Sequence, residues 1–265
     1  MSTSGSAPPS SREAIVGTLR AAGCVFAEDE ARLLIESATT PAALRDMVAR
    51  RVAGLPLEHI VGWVEFCGLR VAVDPGVFVP RQRTGLLVRR AAALAPPGAT
   101  VVDLACGSGA VGVAIAAAVE RVTLYAVDIE PAAVRCARRN LAVLGGRVYA
   151  GDLYDPLPDE LRGHVDVLVA NVPYVPSEAV EMMPREARIH EPLVTLDGGV
   201  DGLDVLRRVA AAAGDWLAGG GHVLMEIGED QADAAIDALD NAGLAATVDS
   251  DEDLHAWVVI GRRRR

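Results

Sequence analysis

Val101-Val-Asp103-Leu-Ala105-Cys106-Gly107-Ser108-Gly109-Ala-Val-Gly112 is the stretch that decides the fold. An apolar strand, Val101–Leu104, runs into a glycine-rich turn, and an Ala-rich helical stretch, Gly109–Val119, follows. Glycines after a strand let the backbone turn tightly and approach a ligand closely, and the next helix offers unpaired N–H groups. Outward from this loop, strands and helices alternate. Strands are predicted at Val122–Val127, Arg147–Ala150, Val165–Ala170 and His222–Ile227, with helices at Pro131–Leu144, Leu203–Leu217 and Gln231–Asn241. Near-continuous apolar strands separated by helices imply a parallel sheet covered on both faces. Ala245–Val248 and His255–Ile260 have only a short connection between them, so they should pair antiparallel.

Upstream, the pattern changes twice. Helical stripes at Arg12–Ala22, Ala27–Ser37 and Pro41–Val52 form a small bundle. Then His59–Val61, Val64–Phe66 and Leu69–Val73 have strand-like composition, with Gly62, Gly68 and Asp74-Pro75-Gly76 as turns. The expected organisation is a Ser/Pro-rich disordered tail over residues 1–11, a helical domain over 12–55, a β-hairpin linker over 56–80 and an α/β domain over 81–265.

Composition narrows the function. All 25 basic residues are Arg, which excludes a Walker-type phosphate loop and Schiff-base chemistry on a lysine. With 36 acidic residues the formal charge is −11, so direct nucleic-acid binding is not expected. Cys24, Cys67, Cys106 and Cys136 lack the C-x-x-C spacing of a zinc site, and no metal is expected. The residues before Arg12 lack an apolar leader, and no run approaches the ~20 apolar residues of a membrane span, so a cytoplasmic protein is expected.

Three acids follow three consecutive strands. Asp103, at the end of its strand, would face a pyrophosphate badly but suits the cationic amino-acid end of S-adenosylmethionine. Asp128, with Ile129 after it, is placed to accept both ribose hydroxyls of either a nicotinamide dinucleotide or S-adenosylmethionine. Asp152 could accept from an adenine amino group while Leu153 packs on its ring. The candidate cofactor-binding residues are therefore Asp103, Ala105, Cys106, Gly107, Ser108, Gly109, Asp128, Ile129, Asp152, Leu153 and Asn171. Among these Cys106 reads as a small loop filler, since no His lies near it in sequence to activate it as a nucleophile.

The fourth strand runs into Asn171-Val172-Pro173-Tyr174, which resembles the Asn-Pro-Pro-Tyr motif of methyltransferases acting on planar nitrogens. An amide nitrogen has a delocalised lone pair and is a poor nucleophile. The Asn171 side-chain oxygen and the Val172 carbonyl could accept its two N–H hydrogens and align it for in-line transfer. Pro173 keeps the turn and Tyr174 can pack on the planar group. These four are the candidate catalytic residues.

Taken together, the chain resembles the HemK/PrmC-like protein-(glutamine) N-methyltransferases. The resemblance runs through Pro56–Leu69, Val79-Pro80-Arg81 with Thr84, the Asp103–Gly109 loop, Asp128, Asp152 and Asn171–Tyr174. It continues in His190-Glu191-Pro192, Leu196–Gly199 with Asp201-Gly202-Leu203, and Glu226-Ile227-Gly228 with Gln231. It implies a class I methyltransferase fold with a mostly parallel seven-stranded sheet, S-adenosylmethionine as donor, and a protein substrate with an exposed glutamine, a release factor or a divergent target. Two positions depart from the family pattern. Val172 replaces its first Pro, and Gly85 stands where it has an acid expected near the active site. Two other functions share parts of the pattern: adenine amino methylation on nucleic acid, and inactive S-adenosylmethionine binding.

Overall fold

The computed structural model describes residues 11–183 and 185–265, in two compact units, one ending at Trp63 and the other running from Val64 to Arg265. The expected tail lies outside the described residues except for Ser11, whose hydroxyl accepts from the Ala14 N–H and caps the first helix.

The first unit consists of α1 (Arg12–Ala21), α2 (Ala27–Ser37), α3 (Pro41–Val52) and α4 (Leu57–Val61). Ile15, Leu19, Ala31, Leu34, Met47, Val48 and Ile60 form its core. Thr40 caps α3 ahead of a first-turn Pro41. Glu30 and Arg51 join α2 to α3 through a largely buried ion pair at 2.6 Å. The strand expected at His59–Val61 is instead part of α4. Gly62 supplies a left-handed C-cap at φ 83°, with its N–H on the Glu58 carbonyl at 2.7 Å. That cap closes a helical turn despite the β-branched residues before it.

A hairpin of β1 (Trp63–Phe66) and β2 (Leu69–Ala72), which belongs to the second unit from Val64 onward, precedes α5 (Gly85–Leu94). The alternating part runs β3 (Thr100–Leu104), α6 (Ala110–Ala118), β4 (Thr123–Asp128), α7 (Pro131–Leu141), β5 (Arg147–Ala150) and β6 (Val165–Ala170). After α8 (Arg185–His190) come α9 (Asp204–Trp216), β7 (Leu217–Ile227), α10 (Ala232–Asn241), β8 (Ala245–Asp251) and β9 (Ala256–Arg262). The connection between β6 and α9 contains α8 and two 3₁₀ turns, Ser177–Met182 and Leu193–Thr195.

The seven strands are ordered β5-β4-β3-β6-β7-β9-β8, with β9 antiparallel to both its neighbours. The mostly parallel seven-stranded sheet and the terminal antiparallel pair are as expected. Period-two alternation splits the strand residues between two cores. Val101, Leu124, Ala126, Val167 and Val169 pack under α5, α6 and α7, while Val102, Leu104, Val127, Leu168 and Met225 pack under α9 and α10.

The order in which strands are added to the sheet switches sides at β3. The strands run outward from β3 to β5, then return to place β6 on the other side of β3. A crevice opens at the carboxyl ends where the order switches. Register makes this specific: Leu104 pairs with Val127 on one side and Ala170 on the other. Asp128 and Asn171 therefore emerge one residue later, flanking the glycine loop.

Candidate active site

The loop is held open by its own backbone. Ala105, Gly107 and Gly109 have φ of 52°, 56° and 78°, a sequence of left-handed residues that lifts the chain over the end of β3. Asp128 fastens it: its Oδ2 accepts from the Gly107 N–H at 2.7 Å and its Oδ1 from the Glu130 N–H at 2.8 Å. Gly112 lets α6 approach the sheet, since a Cβ there would lie 3.1 Å from Leu124 and 3.3 Å from the Asp103 carboxylate.

Asp103 is almost fully buried. Its Oδ2 accepts from the Gly112 N–H at 3.0 Å, and among the described residues the carboxylate has no cationic partner. Burial pushes its carboxyl up to about 7, and the nearby Asp128 adds to the effect. Burial also raises Asp128, against the pull of the backbone N–H groups it accepts from. Burial pushes the Cys106 thiol well up, so the thiol stays protonated.

A cleft runs from this loop to the end of β6. Its lining includes Asp103, Ala105, Cys106, Gly107, Ser108, Asp128, Ile129, Asn171, Pro173 and Tyr174. Ten sequence-predicted residues are thus brought together. Gly109, Asp152, Leu153 and Val172 lie outside the lining. A Cβ on Gly109 would press Ala137 at 3.3 Å, so this glycine serves the α6–α7 contact. The Asp152 carboxylate is taken by Arg208 at 2.6 Å, and Leu153 packs against the second core. The Val172 side chain is buried in that same core.

The far wall carries groups that the sequence reading left without a role. Asn171 donates from Nδ2 to the Thr84 hydroxyl at 3.3 Å, which leaves Oδ1 free of hydrogen bonds among the described residues. Tyr174 donates to Glu226 Oε1 at 2.8 Å, and Arg83 donates to the same oxygen from Nε at 3.0 Å. Burial first, then the Glu226 charge, raises the Tyr174 phenol, so it stays a protonated donor. Arg81 donates to the buried Glu191 at 2.6 Å and tethers the segment that lines the cleft with Phe78.

Loop 196–202 locks the backbone of 173–175 from behind. The Gly198 N–H donates to the Val175 carbonyl at 2.9 Å, and Gln231 Nε2 donates to the Tyr174 carbonyl at 2.8 Å. A Cβ on Gly198 would lie 2.6 Å from the Pro173 carbonyl, and one on Gly202 would lie 2.2 Å from that of Tyr174. Gly85 is outside the cleft lining, and a Cβ there would point toward Cys67 and Arg89, at 3.7 and 3.8 Å. The acid expected beside the active site at this position would face the β1–β2 turn instead.

Residues 68–199 match the Methyltransferase small domain family. A release factor glutamine methyltransferase of Geobacter sulfurreducens is 39% identical over 204 residues, covering 76% of this chain and 71% of that protein. One of Mycolicibacterium smegmatis is 37% identical over 231 residues, covering 85% and 82%. Among solved structures, a methyltransferase from Pyrococcus furiosus superposes with a TM-score of 0.57 at 15% identity, covering 75% of this chain and 90% of that one, which is a likeness of fold.

Proposed function

Because the chain belongs to the release factor glutamine methyltransferase family, we propose that its cleft methylates the side-chain amide of a glutamine exposed on a peptide chain release factor. As a member it is an S-adenosylmethionine-dependent protein-glutamine N-methyltransferase. The residues present suit that donor. A buried carboxylate with no cation beside it among the described residues, its pKa raised, is relieved by a positively charged ligand group, and Asp103 supplies it at the cleft. In this reading Asp103 holds the cationic amino-acid end, Gly107 and Ser108 give close backbone approach, and Asp128 beside Ile129 holds the ribose. When bound, the donor supplies an electrophilic methyl group on a sulfonium.

The observation that carries the reading is the Asn171 amide. Its nitrogen is committed to Thr84, so its oxygen is the atom left to accept an N–H at the cleft. In this reading the Val172 carbonyl, on a residue outside the cleft lining, is the second acceptor and takes the other hydrogen of a carboxamide. Holding both hydrogens aligns the nitrogen and favours its less delocalised form, which is what an amide needs to act as a nucleophile. Tyr174 covers the planar group. No side chain need act as a strong base, because the proton on the alkylated nitrogen is very acidic. Asp152 is expected at the adenine edge; its pairing to Arg208 leaves that contact to a rearranged side chain.

Incubation with tritiated donor and either release factor or nucleic acid tests the proposal. Label on a release-factor glutamine is expected. Label confined to nucleic acid would overturn it in favour of adenine amino methylation, and tight donor binding without transfer would indicate an inactive binding module.

A further inference from the structure

Glu226 is 2% exposed at the carboxyl end of β7, yet one of its oxygens does all its bonding. Oε1 accepts from both Tyr174 and Arg83, while Oε2 is enclosed with no hydrogen-bond partner among the described residues. A buried carboxylate left half satisfied is not explained by stability alone, since replacing a whole buried ion pair by apolar groups is often neutral or better. Its bonds run to the cleft. Arg83 also donates from Nη2 to the Tyr174 hydroxyl, and its guanidinium lies 5.7 Å from the centre of the Tyr174 ring. The hydroxyl therefore donates once and accepts once, within a closed triangle, and the ring has one orientation. The next residue, Thr84, holds the Asn171 amide nitrogen. Arg83 and Thr84 share one 3₁₀ turn, so two adjacent residues address the two ends of Asn171–Tyr174.

We propose that Arg83 and Glu226 are positioning residues that act through Tyr174, fixing its ring against the acceptor carboxamide, with Thr84 orienting Asn171 from the same turn. Arg83 is half exposed and Glu226 buried, so the brace reaches from the cleft mouth to the sheet. The inference rests on Asn171–Tyr174 being the amide clamp. It adds that the clamp is set from outside its own strand, by Arg83 and Glu226, 91 and 52 positions from Tyr174 along the chain.

A double-mutant cycle tests it. Methyl transfer to release factor is measured for Tyr174→Phe, Glu226→Gln and the double variant, with donor Kd by calorimetry and thermal midpoint alongside. Each single change is expected to lower kcat/KM roughly ten- to hundredfold, the effect of one charge-assisted hydrogen bond. Donor Kd should stay within about twofold, and any fall in thermal midpoint should not track the loss of rate across the variants. The double variant should lose no more than the worse single one, because Glu226 acts through the tyrosine. Arg83→Gln removes the brace from its exposed side and replaces Glu226→Gln in the cycle if that variant does not fold. Losses that multiply, a Tyr174→Phe enzyme of full activity, or a donor affinity that falls in step with rate would each overturn the brace. Asn171→Ala separates the two layers: if it still transfers methyl, the clamp itself is wrong, whereas an inactive Asn171→Ala with a multiplicative cycle removes the brace alone.

Discussion

Replacing Asp103 by Asn is expected to stabilise the donor-free protein more at pH 8 than at pH 5, and to weaken donor binding. Asp103 titrates at about 7 in the fold against an ordinary 3.8, chiefly because burial disfavours its charge. Each pH unit of that difference corresponds to about 1.4 kcal/mol, so ionising the carboxylate in the folded, donor-free protein costs roughly 4 kcal/mol. The sign follows from proton binding. Between pH 3.8 and about 7 the folded state keeps a proton that the unfolded chain has released, so stability falls as pH rises through this window and levels off above it. Between pH 5 and pH 8 wild type should lose about 3 kcal/mol relative to Asp103→Asn, roughly 6–12 °C in thermal midpoint for a unit of this size. The assay is thermal denaturation of both proteins at both pH values, with and without S-adenosylmethionine. Saturating donor should abolish the wild-type loss, because a cation restores the carboxylate to its ordinary range. Wild-type and variant midpoints that shift in parallel with pH would refute the argument.

Asn171→Ala should abolish methyl transfer while leaving donor affinity largely intact, checked by tritium transfer and calorimetry side by side. Asp128→Ala should weaken donor binding roughly ten- to hundredfold, since it removes a ribose acceptor together with the hydrogen bond that holds Gly107; unchanged affinity would contradict its role. Gly202→Ala should cost most of the activity, because its Cβ would lie 2.2 Å from the Tyr174 carbonyl, and a crystal structure should show residues 171–175 displaced. Glu30→Ala should destabilise the helical unit by about 3 kcal/mol, since it leaves Arg51 partly buried without its carboxylate; circular dichroism under denaturant measures this.

The alternating part of the chain was legible because its signals are local. The glycine loop sits between a strand and a helix, each strand is a short apolar run, and a short connection forces β8 and β9 antiparallel. Consecutive strand ends likewise place Asp103, Asp128 and Asn171 at one edge without knowledge of any long-range contact. His59–Val61 misled for a local reason too: β-branched content argues for strand, while the glycine cap after it decides for helix. The far wall was illegible because its partners are distant in the chain. Nothing near Arg83 announces Glu226, and nothing near Tyr174 announces Gln231. One signal was present: Glu226 is a charge at the end of the apolar run Val223–Ile227, where a carboxylate must find a partner or a purpose. Asp152 shows the converse, an acid at the expected strand end whose charge is engaged by an arginine 56 positions away.

The most direct measurement is tandem mass spectrometry of purified release factor after incubation with this protein and S-adenosylmethionine. One added methyl on the amide nitrogen of a single glutamine side chain, absent with the Asn171→Ala variant, is the predicted result. An unmodified release factor despite demonstrated donor binding, or a methyl group placed on any atom other than a glutamine amide, would contradict it.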